Sequence, residues 1–305
     1  MDMQNPIFQD ENKARQHLES LLWADGRHCP HCGEAERTSP VKGKSVGLYY
    51  CLSCKKKFTV TVGTLFERSK IPLTKWLLAF HLMSASKKGI SAHQLHRMLG
   101  VTYKTAWFMA HRIREAMGDT NSGPLGGEGV TVEADATFFG PRGYTLSNTF
   151  GWVENEGAGN KSRIHTVVER GGRVRSKVVK DLTTKTLRNS LVTNVDRKST
   201  LMTDDAGVYR TIGKEFKRHE AITHSKKQYV IGDVSTNVVE GYFAIFKRGM
   251  RGIYQHCGEQ HLQRYLNEFD FRYSHRKATD VERTAIALKQ IEGKRLTYRR
   301  TSEGA

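Results

Sequence analysis

Apolar and polar positions change rhythm several times along this chain, and each change marks an element or a boundary. From about Glu11 to Trp23, Leu18, Leu21, Leu22 and Trp23 line one side of a short helix that Gly26 ends. The next forty residues have no helical period, only the β-like YYC and FTVTVGT. After Pro72 the spacing turns helical: LTKWLLAFHLMSASKKG, closed by Lys87, Lys88 and Gly89; AHQLHRML, capped by Ser91 and stopped at Gly100; and YKTAWFMAHRIREAM, capped by Thr102. Trp107, Phe108, Ile113 and Met117 are core candidates of the third helix. NSGPLGGEG (121–129) is the clearest linker. Beyond it GVTVEADATFFG alternates as a strand, with Asp135 expected at its end. RIHTVVERGGRVRSKVV forms a hairpin turning at Gly171-Gly172, TTKTLRNSLVTNV a helix, and STLMTDDAGVYRTIGKEF a strand ending at Asp204-Asp205. This order predicts an α/β layer protein with a mixed sheet. The expected domains are 1–66, 67–120 and 121–276, with 277–305 a basic tail that frays.

The densest pattern is Ser235–Arg251, STNVVEGYFAIFKRGMR. At 100° per residue Asn237, Glu240, Ala244 and Lys247 fall within about 80° of one another. Val238, Val239, Tyr242, Phe243, Ile245 and Phe246 cover the rest, so a mostly buried helix is expected, N-capped by Thr236 or Ser235. A carboxylate, a carboxamide and a lysine on the polar edge of a buried helix are costly unless paired or metal-bound.

Charge narrows the partners. A formal net charge of +18 over 305 residues points to a polyanion, nucleic acid first. No apolar run approaches the roughly 18 residues that span a bilayer. MDMQNPIFQDENK is acidic and polar, unlike a signal peptide, which gives the expectation of a cytoplasmic protein, nucleoid-associated when on DNA.

Cys29, Cys32, Cys51 and Cys54 form two CxxC pairs 18 residues apart, the spacing of a zinc ribbon with a structural Zn²⁺. Four thiolates complete the shell, leaving His28 and His31 as turn residues. Lys55, Lys56 and Lys57 face a phosphate backbone or solvent. Two helices joined by a Gly-containing turn, the second rich in basic residues, outline a helix-turn-helix. Tyr103, Lys104 and Thr105 would enter the groove, with Arg112 further along the same helix. Arg248 and Arg251 follow the DNA backbone beyond Lys247 or solvate the helix end. Asp135, Asp204 and Glu240 form an ordered trio of acids, which cannot all stay ionised side by side without cations. Two Mg²⁺ or Mn²⁺ ions would neutralise them and suit phosphodiester chemistry. Glu268 and Arg272, four apart on a helix, are expected to pair. His256, His261, His275 and the unpaired Cys257 need no catalytic role.

With these residues in view, the chain resembles the ISXO2-like insertion-sequence transposases: the ribbon, the helix-turn-helix, VEADATFFG, LMTDD, TNVVEGYFAIFKRG and HLQRYLNEFDFRYSHR, over roughly Leu22 to Arg276. The resemblance implies a ribonuclease-H-like catalytic domain of the DDE type. It implies recognition of terminal inverted repeats, cleavage and transfer of DNA strands into a target, and a homo-oligomer on DNA. It makes Asp135 and Asp204 metal ligands and sets Lys247 against DNA. The family is described with Asn or Glu as third ligand. The 35-residue gap from Asp204, the step of seven to Lys247 and the charge that metals need favour Glu240, with Asn237 behind it. Where the family usually has an acid after the first Asp, this chain has Ala136; where it often has His before the Asn, it has Ser235. The alternative is a non-catalytic DNA-binding regulator or domesticated relic that has kept the fold.

Overall fold

The computed structural model describes residues 4–43, 46–119, 123–140, 144–147, 151–154, 161–222, 230–231, 234–294 and 296. The chain divides into two compact units, Met1–Gly118 with Lys277–Ala305, and Asp119–Arg276.

The first unit begins with α1 (Glu11–Leu22), which Asp10 caps by accepting the Asn12 and Lys13 amides. A three-stranded antiparallel ribbon follows: β1 (Thr38–Pro40), β2 (Tyr49–Cys51) and β3 (Lys57–Phe58). Then come α2 (Leu73–Ala85), α3 (Ala92–Leu99) and α4 (Tyr103–Ala116). α2 is apolar almost all round, so it becomes the centre of the unit, burying Trp76, Leu77, Phe80 and Met83. Gly100, at φ 59°, ends α3, and the Thr102 hydroxyl accepts the Thr105 amide to open α4.

The second unit is built on five strands: β4 (Thr131–Phe139), β7 (Ser162–Glu169), β8 (Val174–Val179), β9 (Thr200–Asp204) and β10 (Arg218–Ile222). Between β4 and β7 lie the paired strands β5 (Tyr144–Ser147) and β6 (Gly151–Glu154). The sheet order is β10-β9-β4-β7-β8. β7 runs antiparallel to β4 and β8, whereas β4–β9 and β9–β10 are parallel. α5 (Thr184–Asn194) and α6 (Gly207–Ile212) bury Leu187, Leu191, Tyr209 and Ile212 against Val132, Ala134, Val167 and Leu201 on one face. After the short pair β11 (Val230–Ile231) and β12 (Val234–Ser235) comes α7 (Asn237–Gly249), then a π-turn Met250–Tyr254 and α8 (Leu262–Ser274). α7 and α8 bury Val239, Tyr242, Phe243, Phe246, Leu266 and Phe269 against Ile164, Val168 and Val174 on the opposite face. The alternation of β4 and β7 thus feeds two separate cores.

Three expectations are corrected. Asp135 is in the middle of β4, not at its end, because pairing with β7 continues to Phe139↔Ser162; what ends nearby is the pairing with β9, last at Glu133↔Met202. α7 is less buried than its composition suggests: Ile245 is 41% exposed, and Asn237, Glu240 and Ala244 lie on the open side. The segment after Lys277 does not simply fray. Asp280–Lys289 is α9, opened by a capping box between Thr279 and Glu282. It packs on α2, with His81 Nδ1 3.2 Å from Thr284 Oγ1 and Arg283 donating to the Ser84 carbonyl. Leu65 and Gly293 amides donate to the Ile291 and Gly63 carbonyls, tying the chain's two ends together.

A polar knot sits between α7, α8 and the sheet. Asp270 accepts the Ser176 amide and hydroxyl at 2.7 and 2.8 Å, and the Tyr242 hydroxyl. Burial pushes its carboxyl up to about 6, against an ordinary 3.8, although these donors pull it down. The folded state therefore holds this proton more tightly than the unfolded one. Its contribution is complete below about pH 4 and is lost as pH rises through about 6, by up to about 3 kcal/mol. The stability difference between wild type and Asp270→Asn, followed by urea unfolding from pH 4 to 7, should move against the wild type over that window and level off above it. A flat difference would show that the site is not protonated in the fold.

Candidate functional site

The four cysteines close on a single point. Cys29 Sγ is 3.6 Å from Cys54 Sγ, Cys32 Sγ is 3.7 Å from Cys51 Sγ, and all four lie within 4.8 Å of one another. A tetrahedral ion with Zn–S bonds of about 2.3 Å needs sulfurs about 3.8 Å apart. The two loops are built alike: the residue after each second cysteine is left-handed, Gly33 at φ 79° and Lys55 at φ 57°. The Cys54 amide lowers the Cys51 thiol to about 7. Cys32 is pulled down by the Glu34 amide but pushed harder by desolvation and its three sulfur neighbours, and rises to about 12. Crowded sulfurs divide in this way because they cannot all be anionic, a conflict that a dication removes. Trp23, Tyr49 and Phe58 pack beside the cluster at ring distances of 5.4–6.2 Å.

The acids lie in the second unit. β4 and β9 pair in parallel as Thr131↔Thr200, Val132↔Leu201 and Glu133↔Met202. Asp135 and Asp204 each stand two residues beyond the last of these pairs, where the two strands have ceased to pair, and by strand alternation each shares the sheet face of Glu133 and Met202. Asp135 Oδ1 accepts the Ala136 amide at 2.6 Å, and Asp204 Oδ1 the Ala206 amide at 3.2 Å. Tyr209, which the sequence did not single out, reports both acids: burial first, then the charges of Asp135 and Asp204, raise its hydroxyl well above the ordinary value. That hydroxyl is buried without a hydrogen-bond partner.

α7 supplies the remaining candidates. Glu240 is exposed and accepts the Thr236 hydroxyl at 3.0 Å; Asn237 is exposed at the first position of the helix. Among the described residues, only the four cysteines bring three or more ligand atoms within 4.8 Å of one another; Asp135, Asp204 and Glu240 are more widely spaced. Lys247, half-buried, shares the Glu240 edge two turns on. Burial and the Arg251 charge lower it, while Asp135 pulls it the other way, which puts its ammonium in the field of Asp135. Arg248 and Arg251 are exposed.

Thr236 occupies the N-cap position of α7, as expected, but its side chain makes no cap bond. Glu133, 0% exposed, takes that place, its Oε2 accepting the Val238 and Val239 amides at 2.8 and 3.0 Å. Nothing local in the sequence announces a cap more than a hundred residues away. Arg170 pairs with Glu133 Oε1 at 2.7 Å and also donates to the Ser235 hydroxyl, which gives that serine a partner in this fold.

On α4, Tyr103 is 44% exposed and stacks on His93 at 4.3 Å, and Lys104 is exposed. Thr105 is half-buried, its hydroxyl 2.9 Å from that of Thr102. Arg112 departs from expectation. It is 7% exposed, donates to the Leu296 carbonyl at 3.1 Å and lies 5.1 Å over the Phe108 ring, so it is part of the unit's interior and not a groove contact. Glu268 and Arg272 do pair, as a buried pair joined by the Tyr254 hydroxyl. Cys257 is half-buried, its Sγ 3.4 Å from the Gly258 carbonyl, and His275 Nδ1 lies 2.8 Å from the Phe271 carbonyl.

Comparison with known proteins joins these sites. Residues 124–274 match the ISXO2-like transposase domain, and residues 9–57 match the transposase zinc-ribbon domain. The chain carries an ISXO2-like transposase domain with a transposase zinc ribbon in front of it. It is also similar to an uncharacterized protein in transposable element ISH50 of Halobacterium salinarum, 26% identical over 278 residues, which cover 87% of this chain and 91% of that one. Among the described residues no helix is long and apolar enough to cross a membrane.

Proposed function

We propose that this chain is the DNA transposase of an insertion sequence, binding terminal inverted repeats through its first unit and cutting and joining DNA strands through its second. The observation that carries the reading is that Asp135 and Asp204, each two residues past the last β4–β9 pair and on one sheet face, both act by their charge on the buried Tyr209 hydroxyl. Carboxylates gathered in one neighbourhood repel, which a cation would relieve, and hard oxygen donors suit Mg²⁺ or Mn²⁺. The sheet order, with three antiparallel strands followed by two parallel ones, supports a ribonuclease-H-like fold, and α3–α4 supports a helix-turn-helix. Asp135 and Asp204 would hold the metal, with Glu240 as third ligand in preference to Asn237. Divalent ions when bound would supply an activated oxygen nucleophile and stabilise the leaving oxygen. Lys247, close enough to feel Asp135, orients a DNA phosphate beside the acids, and Arg248 and Arg251 follow the backbone away from it. Tyr103, Lys104 and Thr105 meet the groove. A homo-oligomer holding both ends completes the reading.

The test uses full-length zinc-loaded protein and duplexes taken from the DNA on either side of its own gene, with plasmid as target. With Mg²⁺ or Mn²⁺ the expected products are nicks with 3′-hydroxyl ends, then joints to plasmid. Binding of the same duplexes should weaken steeply with salt, log K falling with a slope of about −0.9 per phosphate neutralised. Binding without any metal-dependent cutting would favour the regulator, and cutting without joints a nuclease that only hydrolyses.

A further inference from the structure

Glu133, fully buried, pairs with the half-buried Arg170, an ion pair that neither the zinc site nor the acid pair uses. Burying one member of an ion pair is a poor way to stabilise a fold, since well-packed apolar residues often serve as well. Its position is what distinguishes it. One guanidinium reaches three elements: Glu133 on β4 at 2.7 Å, Met202 Sδ on β9 at 3.0 Å, and the carbonyl and hydroxyl of Ser235 at 3.0 and 2.7 Å. Glu133 stands two residues before Asp135, Met202 two before Asp204, and Ser235 two before Asn237 and five before Glu240. Each strand contact is therefore about 7 Å from the acid it precedes.

Glu133 adds the second constraint. Its Oε2 receives two consecutive amides, Val238 and Val239, and this fork fixes the rotation of α7 as well as its end. The rotation decides where the Glu240–Lys247 edge points. With the cap supplied from β4, the Thr236 hydroxyl is released to hold Glu240 Oε1. A local Ser or Asp cap would end the helix with less desolvation but would not tie it to β4.

We infer that Glu133 and Arg170 are positioning residues that lock the third-ligand helix in register with Asp135 and Asp204. The inference rests on the metal-dependent reading above. It is tested by Mn²⁺ titration of full-length zinc-loaded protein, reading free Mn²⁺ by electron paramagnetic resonance, beside DNA cleavage over the same Mn²⁺ range. Arg170→Met should weaken half-saturation by roughly 10–100-fold, the usual cost of losing an outer support of a metal site, and excess Mn²⁺ should restore cleavage. Arg170→Lys, which keeps the charge but not the fork, should fall between. A folded Arg170→Met that binds Mn²⁺ like wild type, or whose lost cleavage no Mn²⁺ concentration restores, overturns the inference. Should Arg170→Met not fold, Ser235→Ala removes one acceptor and should still shift half-saturation several-fold; no shift would overturn the inference equally. Asp204→Asn is the reference: if it too leaves Mn²⁺ binding unchanged, the metal reading itself has failed, whatever the clamp does.

Discussion

Asparagine in place of either Asp135 or Asp204 should lower strand cleavage by several orders of magnitude while leaving binding of the DNA ends in place. The substitution keeps size and most hydrogen bonding and removes one of two charges that both act on Tyr209 from the same face of β4 and β9. It should also have an opposite effect that simple damage would not produce. In metal-free protein, removing one of two like charges relieves repulsion, so thermal stability should rise while activity vanishes. Glu240→Gln should join the inactive class, since it retains an acceptor for Thr236 but loses the charge. Asn237→Ala, at an exposed side chain, should be milder, about 10–100-fold. Lys247→Ala should recover in part with more DNA or less salt. If Glu240→Gln cleaves normally and Asn237→Ala is dead, Asn237 is the third ligand.

The other large effect belongs to the ribbon. One Zn²⁺ per chain is expected, bound by Cys29, Cys32, Cys51 and Cys54, and Cys51→Ser should abolish it. Metal binding to such a site is folding free energy, about 10–16 kcal/mol in small zinc domains. The apolar support is slight, the two cysteines and Phe58 with a few half-buried neighbours. Hydrogen exchange should show protection lost over 29–58. It should not spread to Leu65 and Phe66, which are buried, with Leu65 bonded to Ile291 and Phe66 packed on Trp76 and Phe80. Protein purified without chelator and found free of zinc would contradict the assignment, as would a Cys51→Ser variant with full protection.

What could be read from the residues follows the range of the interactions. The ribbon was legible because its chemistry is local: two CxxC turns and a spacing. Helices with their own caps, α3 from Ser91 and α4 from Thr102, were legible for the same reason. The hairpin at Gly171-Gly172 is legible too, since the turn residues lie beside the strands they join. Long-range arrangements were not. Asp135 sits within β4 because β7 pairs past it, and α7 is capped by Glu133 from another element. Arg112 looks like a surface cation by composition, yet Leu296 and Phe108 enclose it. The polar, basic end of the chain hides α9, whose apolar side has meaning only against α2. At the candidate site, the residue types could be named from sequence, but the shared face of Asp135 and Asp204 depends on which strands are neighbours.

The proposed divalent ion at Asp135 and Asp204 is open to direct measurement. Fe²⁺ exchanged for Mg²⁺ in zinc-loaded protein, with ascorbate and peroxide, generates hydroxyl radicals that cut the polypeptide beside any ion bound there. The account predicts cuts near Asp135 and near Asp204 together, a third near Glu240, suppression of all three by excess Mg²⁺, and none in Asp204→Asn. Cuts that avoid both aspartates, or that persist in Asp204→Asn, would contradict it.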